Sequence, residues 1–154
     1  MHLGRAQDGA ALGSFPMTTK ILLSALLAAA VPLAAMAADA KAPAETVRPN
    51  FSHAIPNIPG KSLVAVEVAY PPGGASAPHS HAKSAFIYAY VVSGAIESQV
   101  DDGPARIYTA GQAFYEEPGA HHRISRNASA TEPAKLLAVF VVDTGDAPLT
   151  TPHE

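Results

Sequence analysis

Turn signals punctuate this chain about every 8–12 residues from Pro71 onward, and that spacing leaves room for short strands and little else. Pro71-Pro72-Gly73-Gly74, Asp101-Asp102-Gly103-Pro104, Ala110-Gly111 and Pro118-Gly119 are the punctuation. Between them the hydrophobic pattern has a period of two. In Lys61–Tyr70, Val64, Val66, Val68 and Tyr70 share one face. Ser84–Ser93 is nearly all apolar and predicts a strand buried on both faces. Ala95–Val100, Ala105–Thr109, Gln112–Glu117, His121–Arg126 and Lys135–Val142 complete the series. No segment after residue 60 carries a helical period, so the expected class is an all-β barrel or sandwich in one domain.

The N-terminal third reads differently. Met17-Thr18-Thr19-Lys20 precedes the apolar run Ile21–Ala35, and Ala35-Met36-Ala37 closes it with a small-x-small pattern. This predicts a secretory signal peptide starting at Met17 and cleaved after Ala37, within an upstream segment 1–37. The run falls short of the roughly 20 apolar residues that span a bilayer, so no stable membrane anchor is expected after cleavage. The expected location is periplasmic or secreted. Residues 38–60 are rich in Ala and Pro and read as a linker and N-terminal arm, with Phe51, Ile55 and Ile58 available for docking on a barrel edge or a second copy. The barrel is expected over 61–143 and a polar tail over 144–154.

Composition excludes several classes of function. The 154 residues carry no cysteine, so there is no disulfide, thiolate ligand or cysteine nucleophile. The formal net charge of −3 gives no basic footprint for nucleic acid. The histidines carry the chemical signal. His79 and His81 are one residue apart in an extended stretch and so point to the same side. Two imidazoles presented together can chelate a metal, and His121 or His122 offers a third. Alone, the pair reads better as two surface histidines in a polar loop.

Gly73, His79, His81 and Gly94 follow the glycine, His-x-His, glycine order of the first motif of the cupin family, and Gly111, Pro118, Gly119, His122 and Asn127 follow its second. The chain therefore resembles a cupin, and more closely a subgroup of small exported bacterial cupins. The resemblance implies a jelly-roll β-barrel and a divalent transition metal (Fe, Mn, Ni or Zn) on His79, His81 and His122, with His121 as the alternative if the register slips by one. It also makes a homodimer plausible. The family pattern places a metal-binding glutamate near Ala85–Ile87, and no carboxylate occurs here between His81 and Glu97.

Glu116 or Glu117 can replace it. Glu116 is preferred, as a ligand or proton carrier, because a glutamate two residues before the turn proline is typical of the subgroup. Gln99 is a second candidate, set against a plain polar position in its hairpin, and Tyr88, Tyr90 and Phe114 are candidate pocket residues. Arg123 and Arg126 flank the histidine strand, either steering an anion or facing solvent. Two functions follow: metal-dependent chemistry of dioxygenase, lyase or isomerase type on a small organic molecule, or a non-catalytic barrel that binds or senses a small ligand. A third reading is a scaffold with vestigial histidines.

Overall fold

The computed structural model describes residues 41–153. The signal peptide expected within residues 1–37 lies outside the described residues. Ten strands form two five-stranded antiparallel sheets, and no helix occurs among the described residues. The strands are β1 Thr46–Ala54, β2 Lys61–Tyr70, β3 His79–His81, β4 Phe86–Ser93, β5 Ala95–Val100, β6 Arg106–Thr109, β7 Ala113–Glu116, β8 His121–Asn127, β9 Ala134–Asp143 and β10 Thr150–Pro152. One sheet runs β1-β2-β9-β4-β7 and the other β10-β3-β8-β5-β6.

The core lies between the sheets because alternate residues point inward. In β9, Ala134, Leu136, Ala138, Phe140 and Val142 are all buried. They meet Ile87, Ala89 and Val91 of β4 and Val68 and Tyr70 of β2, while Ile96 of β5 joins from the opposite sheet. The β4–β5 turn requires Gly94. Its φ is +71°, and a Cβ there would lie 2.7 Å from the Pro133 carbonyl oxygen.

Strand β4 corrects one expectation. Only its odd-numbered side is covered; Phe86 and Tyr88 are 40% and 47% exposed on the other. An antiparallel sheet can leave one face to solvent, and this one does so with aromatic residues. Two further strands lie in segments that read as arm and tail. β1 is exposed along its whole length and pairs with β2, with a bulge between Pro49 and Phe51. Proline is tolerated there because the strand is at the sheet edge. β10 pairs with β3, placing Thr150 opposite His81 and Pro152 opposite His79.

Candidate metal centre

Strand pairing assembles the histidines. β3 lies between β10 and β8, and its register sets His79 directly opposite His122. His81 follows two residues along on the same face. The His79 and His81 rings are 4.8 Å apart, and His122 lies 5.3 Å and 6.0 Å from them. Each ring offers one nitrogen to a set whose members all lie within 4.8 Å of one another. The turn at Pro118-Gly119 returns the chain from β7 to β8 and brings Glu116 to the same place. Glu116 Oε2 is 2.9 Å from His81 Nε2, and Oε1 is 3.4 Å from His122 Nδ1. Both side chains of the closer pair are almost fully buried, 5% and 3% exposed.

The surroundings fix the state of each group. His79 Nδ1 is 2.8 Å from the Ala77 carbonyl oxygen. A carbonyl only accepts, so Nδ1 carries the proton and Nε2 keeps a free lone pair. Burial depresses the His79 pKa, outweighing the support of that hydrogen bond. His122 Nε2 is held by the Ser98 hydroxyl at 2.9 Å. Burial pushes the His122 pKa down to about 4 despite the neighbouring carboxylate, so the ring is neutral at pH 7. For Glu116, burial is the largest influence and pushes upward; the His81 contact and the three nearby imidazoles together outweigh it and hold the carboxyl below its usual range. His81 differs from its neighbours. Neither of its ring nitrogens has a hydrogen-bond partner, and neither does Glu116 Oε2. The 2.9 Å contact between them is short, but out of line for a hydrogen bond.

The centre opens into a cavity of about 200 Å³. Val66 and Val68 of β2 and Leu136, Ala138 and Phe140 of β9 give it an apolar wall. A hydroxyl chain forms its polar part: Tyr70 Oη lies 2.7 Å from Ser125 Oγ and 2.9 Å from Ser76 Oγ. Burial raises the Tyr70 pKa, so the phenol stays protonated. Glu45, Val47, Leu149, Thr150 and Pro152 also line the cavity, and no Lys or Arg is among its lining residues.

Of the residues singled out in the sequence, His79, His81, His122 and Glu116 come together, and Glu117 is exposed. His121 points outward, as the strand period demands, and packs edge-on against His153. Tyr88 and Tyr90 are corrected as pocket residues. They stack on each other at 6.5 Å, away from the cavity, because β4 turns its even-numbered residues outward. Gln99 is likewise not a pocket residue; its amide bonds the Gly103 carbonyl across the hairpin turn. Phe114 is buried in the core with its ring 6.0 Å from His122, but it does not line this cavity. Arg123 and Arg126 pair with Asp102 and Glu97 at the surface and do not reach the site. Ser98 and the Tyr70–Ser76–Ser125 chain escaped the sequence reading. The period-two rule places Ser98 beside inward Ile96, which was the available signal for it.

The fold and the site define a double-stranded β-helix barrel with a buried histidine–carboxylate cluster at one cavity. The family model for the cupin domain matches residues 66–140, and the chain belongs to the cupin family. The TT1209 protein of Thermus thermophilus is similar over 64% of this chain and 83% of its own, at 26% identity and a TM-score of 0.51. A conserved Klebsiella pneumoniae protein with a double-stranded β-helix domain shares 25% identity over 60% of this chain and 75% of its own, with a TM-score of 0.50. An RmlC-like cupin-family protein of Methanocaldococcus jannaschii shares the fold at 14% identity, covering 68% and 84% of the two chains with a TM-score of 0.52. No curated protein matches the chain.

Proposed function

We propose that this cupin is an exported protein that holds one divalent transition metal on His79, His81 and His122 and uses it on a small organic molecule. The observation that carries the metal is the set of buried atoms without partners, His81 Nδ1 and Nε2 and Glu116 Oε2, beside two further imidazoles. Each unsatisfied buried polar atom costs about 1–3 kcal/mol, and a cation beside them removes that penalty for Glu116 Oε2 and for one of the two His81 nitrogens. A metal bound there supplies Lewis acidity or a template for substrate and dioxygen, suited to dioxygenase-, lyase- or isomerase-type chemistry. The chain's own residues set the ligand. A cavity of about 200 Å³ is smaller than the ~300–1,000 Å³ typical of drug-sized ligands. Its apolar wall and neutral hydroxyl chain favour a small, mostly apolar molecule with one or two oxygen atoms.

Export rests on the sequence pattern of Ile21–Ala37, and N-terminal sequencing of the cell-purified protein should begin at Ala38. A homodimer is supported by the exposed aromatic side chains Phe86, Tyr88 and Tyr115 on one sheet face. Elemental analysis of the processed, untagged protein beside a His79→Ala/His81→Ala variant tests the central reading. Near-stoichiometric metal lost in the variant is the expected result. A parent that takes up none of Mn, Fe, Ni or Zn would overturn it.

A further inference from the structure

We propose that Glu116 is the fourth protein ligand of this metal, so that the carboxylate reaches the centre from β7 and not from β4. The inference rests on the metal reading above and adds the oxygen donor to the three nitrogens.

The distances fit shared coordination. With metal–ligand bonds of about 2.1 Å, two donor atoms on one ion sit about 3.0 Å apart at a right angle and about 3.4 Å apart at the tetrahedral angle. Glu116 Oε2 is 2.9 Å from His81 Nε2, and Oε1 is 3.4 Å from His122 Nδ1. The shorter contact is a poor hydrogen bond, since its two atoms are close yet out of line. Charge points the same way. Glu116 is buried at 3% exposure, and no Lys or Arg lines its cavity to balance it. A buried carboxylate without a cation is unfavourable by several kcal/mol. A divalent ion on this set leaves a net charge of about +1, enough to attract one substrate oxygen.

The strand register explains how the carboxylate moved. Glu116 is the direct cross-strand partner of Ile87 in the β4–β7 ladder. Both side chains face the barrel interior, Ile87 fully buried. Ile87 also ends the stretch Ala85–Ile87, where the family pattern places a carboxylate. A carboxylate on either member of this pair projects from neighbouring positions on one face.

Metal affinity measured by competition with a chelator, for Mn²⁺ and Zn²⁺, tests the assignment in Glu116→Gln and in the exchanged Glu116→Ile/Ile87→Glu variant. A group that only supports the ligands changes affinity about 10–100-fold. Loss of Glu116 should exceed about 100-fold for Mn²⁺ and be smaller for Zn²⁺, since Mn²⁺ depends more on oxygen donors. The exchanged variant should recover at least a tenfold part of the loss. Infrared difference spectra of the unaltered protein, with and without Mn²⁺, give a readout that needs no variant: the carboxylate stretch of a liganded glutamate should shift. An affinity change below about 100-fold in Glu116→Gln, or no carboxylate shift on loading, would overturn the assignment while leaving a three-histidine site intact. A parent that binds neither metal would overturn the metal reading itself.

Discussion

The metal-free protein should lose stability in acid, through His122. This ring is buried against Glu116, His79 and His81 and is bonded to Ser98. Its folded pKa of about 4 lies below the ordinary 6.5, a difference of about 2.5. At 1.36 kcal/mol per unit, that is about 3 kcal/mol. The sign follows from proton uptake. Below pH 6.5 the unfolded chain protonates this histidine and the folded chain does not, so stability is complete above pH 6.5 and drains away as the pH falls to about 4. His79, also depressed by burial, acts in the same direction. Glu116, depressed as well, adds its loss at lower pH, below the ordinary carboxylate value of 4.5. Urea unfolding of chelator-treated protein at pH 8, 6 and 4 is the assay. With a slope of about 1–3 kcal/mol per molar urea, the midpoint should fall by about 1–3 M between pH 8 and 4. His122→Asn, which keeps a polar side chain beside Ser98 but cannot titrate, should flatten much of that fall. A midpoint constant over this range, or an equally steep fall in His122→Asn, would refute the reasoning.

Three further outcomes are expected. Gly94→Ala should destabilise the fold by at least about 1–2 kcal/mol in urea unfolding, because the new Cβ meets the Pro133 carbonyl at a left-handed φ. Tyr70→Phe should cost about 1–3 kcal/mol in the same assay by stranding the buried Ser125 hydroxyl, and should weaken oxygen-bearing ligands more than wholly apolar ones of equal size in calorimetric titration. Truncation after Gly145 removes β10, the strand paired with β3, and should lower Zn²⁺ affinity about tenfold or more by loosening His79 and His81; unchanged affinity would show that β8 alone holds them.

The parts of this molecule that sequence makes visible are those where burial writes a period. β2 and β9 show it plainly, and the same alternation separates His122 from His121 and Glu116 from Glu117. β1 and β10 have no such pattern because every residue in them is exposed; only their distant partners, β2 and β3, make them strands. Tyr88 and Tyr90 misled for a related reason. A continuous apolar run looks the same whether its second face is covered by protein or left bare, and here it is largely bare. Ser98, Ser76 and Ser125 are small polar residues whose importance comes from what faces them across the barrel, which local sequence does not contain.

Much of the cavity's outer lining comes from Glu45 and Val47 at the start of β1 and from Leu149, Thr150 and Pro152 around β10. These flanking segments contribute no residue to the two buried clusters apart from the peripheral contact of Leu149. The entrance to the cavity is thus written in the flanking segments, while its inner wall belongs to the core strands β2 and β9. Substitutions at the entrance can redirect the barrel toward a new small molecule while β2, β4 and β9 keep it folded.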